Sequence, residues 1–354
     1  MTRKIRIKDI ARLAQVSVGT VDRVIHNRGE VAEDSYNRVM EILRETGYKP
    51  NLIARTLGSH KSYRITALIP NPDQDEYWHQ TFDGVVKARD EWAQYGVVID
   101  TCHFDLYDKK SFEQQANSLL NSNPDGILTA PIFHQEAVAF FKACKSQNIP
   151  FVVINNNVAE EPSLGFIGQD LYQSGRLGAE LSHLNNEGGG VYAILHVYDD
   201  IHHSLHLREK EKGFRDYFDE QRDAGYTTLS LDLNHSHEPT LEKELNDLLS
   251  NNQLKGVVVT TSRGAHIVSR LIERRGKNKL RFVAYDLLEQ NIHYLKLGII
   301  DFLINQNSKR QAFVGIGNIV NHLLFQRDIP RERLFPLEVI TRQNLSSYLQ
   351  SDHH

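Results

Sequence analysis

Ile7-Lys8-Asp9-Ile10-Ala11-Arg12-Leu13-Ala14-Gln15-Val16-Ser17-Val18-Gly19-Thr20-Val21-Asp22-Arg23-Val24 is the stretch that decides how this chain is read. Ile7, Ile10, Ala11 and Ala14 recur at helical spacing, so a short first helix has one apolar face. Gln15-Val16-Ser17 breaks that pattern, and Ser17 is placed to cap a second helix over 18–25. On that helix Val21, Val24 and Ile25 turn inward, leaving Val18, Gly19, Asp22 and Arg23 on the outer face. Asn27-Arg28-Gly29 reads as a loop. A third helix over about 34–45 buries Val39, Ile42 and Leu43, and Gly47 ends it. Two short helices at a tight turn, buttressed by a third, make an all-α helix-turn-helix domain.

Charge sets this segment apart from the rest of the chain. Residues 1–64 hold thirteen Lys/Arg and seven Asp/Glu, while the remainder holds twenty-eight and thirty-eight, so a net charge of −4 conceals a basic head on an acidic body. That asymmetry is expected when a head meets a polyanion; the alternative is ordinary scatter of surface charge, and the local pattern decides between them. The 354 residues are 40% hydrophobic and 24% charged, which excludes disorder and allows two or three domains. Cys102 and Cys144 are the only cysteines, which suits a reducing cytosol and excludes a Cys-rich zinc site. No apolar run reaches membrane-span length, and the N-terminus carries charges where a signal peptide needs its apolar stretch. The expectation is a soluble, cytoplasmic protein.

Residues 7–24 resemble the head of the LacI/GalR family of bacterial transcriptional regulators, and Gly-Tyr-Lys-Pro-Asn-Leu-Ile-Ala-Arg-Thr-Leu (47–57) resembles that family's hinge, in the same order and spacing. The resemblance implies double-stranded operator DNA as partner. A recognition helix enters the major groove by its N-terminal end, so Val18 and Gly19 are expected nearest the bases. Val18 suits a thymine methyl, and Gly19 permits close approach. Arg23 suits O6 and N7 of guanine, worth roughly 1–3 kcal/mol of discrimination; a phosphate contact or a surface ion pair is its other reading. Ser17 and Thr20 are expected on backbone phosphates. Asp22 stands where the family usually has Ser, so it either accepts from cytosine N4 or holds Arg23 in place. Arg6 replaces the usual Thr cap of the first helix.

In the hinge, Pro50 fits a first helical turn, and Asn51 to Leu57 make about two turns, too short to be stable alone in water. By the resemblance, the hinge helix forms when two copies pair on DNA and Leu57 wedges into the minor groove. Leu57 as the start of the linker, or packed on the next domain, is the alternative. Asn27 and Ala54 complete the expected DNA-contacting set, and 58–62 is the link to the body.

From Tyr63 onward apolar runs alternate with amphipathic stretches. Strands are expected at 65–69, 97–100, 126–129, 151–155, 191–195, 256–260 and 282–285, with helices between them, for example 82–94, 111–120 and 171–183. Short buried strands alternating with helices mean parallel sheets covered on both faces. The length suits two similar lobes with a cleft, where ligands bind beyond the carboxyl ends of the strands. The loops there carry Asn71, Asp73, Asp75, Tyr77 and Trp78, then Asn155-Asn156-Asn157, Gln169-Asp170, Arg208, Thr261-Ser262, Asp286 and Gln306. Flat aromatic faces beside amides, carboxylates and a guanidinium are what a sugar requires.

The body resembles the type I periplasmic-binding-protein fold, near its ribose-binding branch, through Phe-Val-Ala-Tyr-Asp (282–286), Leu-Lys-Leu-Gly-Ile-Ile-Asp (295–301) and Ile-Asn-Gln-Asn (304–307). By that resemblance Asp286 and Gln306 bind sugar hydroxyls, and Arg208 does so from the second lobe, unless the 208–212 run is a solvated helix face. Asn71, Trp78, Asn155, Gln169, Asp170 and Thr261 complete the expected ligand set, with Trp78 alternatively a core or dimer residue.

Other signals are set aside. His202, His203, His206, His235 and His237 lack a carboxylate or cysteine to complete a metal motif, and Gly188-Gly189-Gly190 lacks the Lys-Ser/Thr of a phosphate loop. No catalytic constellation or cofactor motif appears. The expected organisation is a head (1–49), a hinge helix and linker (50–62), a two-lobed ligand-binding and dimerisation body (63–342) and a tail (343–354) too short to make tetramers. The expected function is a homodimeric regulator, a repressor, whose operator affinity responds to a small sugar-like effector. A phosphorylated sugar or a nucleoside is the other effector class. The rival functions are a sugar-binding transport receptor and a sugar-processing enzyme.

Overall fold

The computed structural model describes residues 7–26, 31–46, 62–158, 160–186, 188–197, 205–221, 225–233, 238–276 and 280–351. The chain divides into two compact units, Met1–Lys61 and Ser62–His354. The expected loop at 27–29, the expected helix end at Gly47 and the expected hinge and linker up to residue 61 lie outside the described residues.

The head has three helices, α1 (Ile7–Leu13), α2 (Val18–His26) and α3 (Glu33–Thr46). Their shared core is Ile10, Ala11, Ala14, Val21, Val24 and Val39, the residues whose spacing marks one face of each helix. Between α1 and α2 the chain turns at Gln15, a left-handed position with φ 54°. The Val16 N–H returns to the Ala11 carbonyl at 3.0 Å, closing a Schellman turn without glycine. Ser17 then caps α2, its Oγ accepting from the Thr20 N–H at 3.0 Å.

The body has two lobes. The first begins with β1 (Tyr63–Pro70), α4 (Glu76–Ala93), β2 (Val97–Phe104), α5 (Lys109–Asn121), β3 (Gly126–Thr129), α6 (His134–Ser146), β4 (Phe151–Asn155) and β5 (Gly165–Gly168). The second follows as α7 (Leu171–His183), β6 (Gly190–Val197), α8 (Leu205–Asp219), β7 (Tyr226–Leu233), α9 (Glu238–Leu249), β8 (Leu254–Val259), α10 (Ala265–Arg275), β9 (Arg281–Tyr285), α11 (Glu289–Leu297) and β10 (Phe302–Asn305). The chain returns to the first lobe with α12 (Ser308–Phe325) and β11 (Glu332–Leu334), then ends on the second with β12 (Glu338–Ile340) and α13 (Leu345–Ser351). The sheets run β11-β5-β4-β3-β1-β2 and β12-β10-β9-β8-β6-β7. Every pairing is parallel except that of β12 with β10.

All seven expected strands are present. The five additional ones are short, glycine-bounded, half-exposed or charged: β5 is Gly-Phe-Ile-Gly and β11 is Glu-Arg-Leu. The helix expected at 82–94 starts earlier, because Asp75 caps α4 by accepting from the Tyr77 N–H at 2.8 Å. The described part of the tail is a helix docked on the second lobe's core through buried Leu345.

The chain passes between lobes three times, after β5, after β10 and between β11 and β12. Gln169 joins the three passages, its Nε2 donating to the Asn305 carbonyl at 2.9 Å and the Pro336 carbonyl at 2.8 Å. In the second lobe α7 and α8 pack backbone to backbone at two glycines. A Cβ on Gly175 would lie 1.9 Å from the Lys210 carbonyl oxygen, and one on Gly213 would lie 2.0 Å from that of Tyr172. Neither side chain can be accommodated unless the helices separate. Gly213→Ala is therefore expected to lower the stability of the body by about 1–3 kcal/mol. A fall in the urea midpoint at unchanged m-value checks this, and a midpoint equal to the wild type would show that the helices part freely.

Candidate functional site

Two faces carry the polar chemistry, one in each unit. In the head, the N-terminal end of α2 projects Val18 and Gly19 outward, and Arg23 one turn further on is exposed. Ser17 is occupied in the cap, its Oγ also 2.9 Å from Thr20 Oγ1, so the two hydroxyls and the free N–H groups of the first turn sit together at the positive end of the helix. Asp22 is half-buried. Asn27, Ala54 and Leu57 lie outside the described residues.

In the body the site is built on the carboxyl ends of the strands. Asp286 follows β9 in the left-handed region, φ 64°, and Asn155 ends β4 of the first lobe in the same conformation, φ 71°. Asn291 holds the Asp286 backbone, its Nδ2 donating to the carbonyls of Tyr285 and Ser262 at 2.9 Å each. The Asp286 side chain is 1% exposed and accepts from the Gln306 N–H at 2.8 Å and from Gln306 Nε2 at 2.7 Å. Ser262 Oγ donates to it as well. From there a relay crosses the lobes: Gln311 Nε2 donates to the Gln306 carbonyl at 2.9 Å, the Asn155 N–H donates to Gln311 Oε1 at 3.0 Å, and Asn155 Nδ2 donates to Tyr77 Oη at 2.8 Å.

Each buried carboxylate faces a cation. Burial pushes the Asp286 carboxyl up, and hydrogen bonds from Ser262 and Gln306 and the Lys210 charge pull it back. Lys210 is 1% exposed, its Nζ 3.7 Å from the centroid of the Tyr285 ring and 3.4 Å from the Thr260 carbonyl. Burial also raises Asp75, opposed by the Tyr77 N–H and by Arg263, while the Asp286 charge adds to the rise. Arg263 Nε lies 3.9 Å from Asp75 Oδ2. His206 is driven down to about 3, first by burial and then by the Lys210 and His196 charges, so it is neutral near pH 7. Its Nδ1 lies 3.4 Å from Asn156 Nδ2 of the other lobe. Asn156 Oδ1, Thr129 Oγ1 and Gln169 Oε1 are among the buried acceptors that have no hydrogen-bond partner among the described residues, and Thr129 ends β3.

Of the expected ligand residues, Asp286 and Gln306 are brought together and Asn155 joins them through the relay. The others are engaged elsewhere. Asn71 Oδ1 accepts from the Asp73 N–H in its own turn, Asp170 caps α7, Thr261 Oγ1 donates to the Val197 carbonyl, and Gln169 ties the passages. Trp78 is buried in the first lobe's core, edge-on to Tyr77. Arg208 is exposed, on the side of α8 away from the buried stripe, as in its alternative reading as part of a solvated helix face. That stripe is Leu207, Lys210, Phe214 and Phe218, all buried, so the cation α8 buries is Lys210. The helical spacing of Leu207, Phe214 and Phe218 is the signal that could have found it. Arg263 and Tyr107 had no such signal, because single residues in loops carry no periodicity. Among the described residues no group of His, Cys, Asp or Glu is placed to hold a metal ion; His202, His203, His235 and His237 lie outside them.

Residues 66–327 match the family profile described as periplasmic binding protein domain, and residues 6–51 match that of bacterial regulatory proteins, lacI family. The HTH-type transcriptional regulator MalR of Streptococcus pneumoniae is 26% identical over 174 residues, 48% of this chain and 51% of that protein, so the chain spans about half the length of this relative. The sucrose operon repressor of Streptococcus mutans is 22% identical over 349 residues, 96% of this chain and 99% of that protein. Among solved structures, one from Bacteroides fragilis, described provisionally as a LacI transcriptional regulator, superposes with a TM-score of 0.74 at 26% identity, covering 81% of this chain and all of that one.

The raised Asp286 carboxyl has a consequence for stability. A carboxyl raised in the folded state binds more protons there than in the unfolded chain, so its contribution is fully present below the ordinary value and is lost as pH rises through the raised one. Asp286→Asn removes that loss. Relative to the wild type, its denaturation midpoint is expected to improve steadily as pH rises from about 4. A difference between the two proteins that stays constant from pH 4 to 7 would show that Asp286 titrates as it does in water.

Proposed function

The chain belongs to the family defined by the periplasmic binding protein domain, carrying a head of the bacterial lacI type, and from that premise we propose that it is a DNA-binding transcriptional repressor controlled by an uncharged sugar held between its lobes. The observation that carries the reading is the presence, in one chain, of a recognition helix with an exposed N-terminal end and a buried polar nest at Asp286 and Gln306.

The head side follows from groove geometry. Val18 and Gly19 at the start of α2 fit against base edges, Arg23 reads guanine, and Ser17 and Thr20 hold phosphates that set the helix in register. The head's surplus of basic residues supplies the salt-dependent part of the affinity. Two copies bind a roughly palindromic operator, with paired hinges and Leu57 in the minor groove. This work takes place in the cytoplasm; no described helix is long and apolar enough to cross a membrane.

Charge balance supports the ligand class. Lys210 acts on Asp286 and Arg263 on Asp75, so the described cleft offers matched pairs, and two carboxylates oppose an incoming phosphate or carboxylate. Hydroxyl groups suit the polar atoms that have no protein partner near the junction of the lobes, among them the amide oxygen of Asn156, whose Nδ2 lies 3.4 Å from His206 of the other lobe. The names of the relatives, a sucrose operon repressor and a regulator called MalR, agree with a sugar.

The test begins with selection of duplexes from a random pool by the full chain. The selected duplex is expected to bind with an affinity that falls steeply with salt. Arg23→Ala is expected to weaken it by about 10- to 100-fold, the equivalent of roughly 1–3 kcal/mol, and to relax preference at one base pair. Fluorescence anisotropy reads both. Calorimetric titration with pentoses, hexoses and their phosphates is expected to give binding for an unphosphorylated sugar alone. Failure to enrich any duplex would remove the regulator reading, and tighter binding of a sugar phosphate would remove the uncharged ligand.

A further inference from the structure

Arg263 lies on the second lobe, in the loop between β8 and α10, and its partners lie on the first. Its guanidinium carbon is 5.4 Å from the centroid of the Tyr107 ring, Nη1 donates to Tyr107 Oη, and Nε is 3.9 Å from Asp75 Oδ2. The receiving loops are built as one rigid socket. Gln74 reads the neighbouring loop with both ends of its amide, Nε2 donating to Asp105 Oδ2 at 2.7 Å and Oε1 accepting from the Leu106 N–H at 2.9 Å. Asp105 Oδ1 in turn accepts from the Tyr107 N–H at 2.8 Å, and Asp75 Oδ1 is fixed by the Tyr77 N–H at 2.8 Å. Tyr107 is 57% exposed, so its ring stands at the mouth of the cleft and not in a core.

A second cross-lobe contact stands beside the first. The N-cap residue of α11, Leu288, has no side chain able to cap it. The first lobe supplies the missing acceptor: the Glu289 N–H donates to Glu76 Oε1 at 2.7 Å. Leu288 itself packs into the first lobe's apolar cluster, and Gln80 Nε2 donates to the Leu287 carbonyl at 3.0 Å. Adjacent acids at the start of α4, Asp75 and Glu76, thus each grip a different loop of the second lobe.

We propose that Arg263, seated between Tyr107 and Asp75, is a positioning residue that clasps the two lobes together and sets how readily the cleft closes. A planar guanidinium suits the place, because its separate nitrogens face the Tyr107 hydroxyl and the Asp75 carboxylate at once, which the single nitrogen of an ammonium cannot match. The clasp's regulatory meaning rests on the proposed ligand site in the same cleft; the clasp itself does not.

Hydrogen exchange read by mass spectrometry on the full chain, with neither sugar nor DNA added, tests it. Arg263→Ala is expected to speed exchange at least tenfold in the segment around Glu289, which Arg263 does not touch in any contact described above, while strands β8 and β9 keep their protection. Tyr107→Ala, a change at an exposed side chain on the opposite lobe, is expected to do the same and decides the matter if Arg263→Ala loses its fold. Unchanged exchange around Glu289 in Tyr107→Ala would overturn the clasp. A wrong ligand assignment would leave both results as expected, so the two readings fail separately.

Discussion

One amide holds the place on which the body's geometry depends. Gln169 sits on the first passage between lobes and uses both hydrogens of its Nε2 on carbonyls of the other two, Asn305 and Pro336. Sliding any passage along its neighbours would leave a buried donor or carbonyl unpaired, at about 1–3 kcal/mol each. Rotation about the junction breaks neither bond. The lobes are therefore built to hinge and not to shear. Gln306 follows Asn305 directly, so the same amide that fixes the hinge fixes the residue that holds Asp286.

That placement explains why charge can be buried here. An ionised carboxylate out of water is costly unless it is hydrogen-bonded and matched. Asp286 has three donors and the Lys210 charge, and Lys210 in turn lies on the face of Tyr285. Elsewhere in the second lobe the balance goes the other way. Burial raises Glu211, but hydrogen bonds from His196, Arg215 and Ser230 outweigh it and hold the carboxyl at about 2. The difference between the two acids lies in their partners: Glu211 bonds to an arginine at 2.7 Å, Asp286 mainly to neutral donors.

The legibility of the chain followed periodicity. Head helices were readable because their core positions repeat at helical spacing and Ser17 marks a boundary; the seven expected strands were readable as buried apolar runs bounded by turns. Of the other five, β5, β10, β11 and β12 have only three or four residues, and β7, eight residues long, is half-buried and polar enough to lack the apolar run that marks the rest. Site residues split the same way. Asp286 ends a recognisable strand, Gln306 came only from the resemblance carried by 304–307, and Lys210 belongs to a stripe of Leu207, Phe214 and Phe218 that places it inward and Arg208 outward. Trp78 looked like a ligand platform because an aromatic beside a strand end fits both a sugar and a core, and only tertiary packing separates the two. Tyr107 and Arg263 meet from residues 156 positions apart, a pairing no local pattern encodes.

Closure of such a body is shared between protein and ligand. The relay from Asp286 through Gln306 and Gln311 to Asn155 already spans the lobes, and so do the Glu76 cap and the Arg263 seat. A ligand adds only the difference between what it gains in the closed form and in the open one; contacts made equally in both shift nothing. The stronger the protein's own clasp, the smaller the change a ligand can produce, and the weaker the clasp, the more of the ligand's affinity is consumed in closing the lobes. Couplings of about 1–3 kcal/mol, 5- to 150-fold in affinity, are the usual scale for such a device. The proposed clasp sits on an arginine that directly follows Ser262, so its seat and the nest around Asp286 are coupled through a single loop.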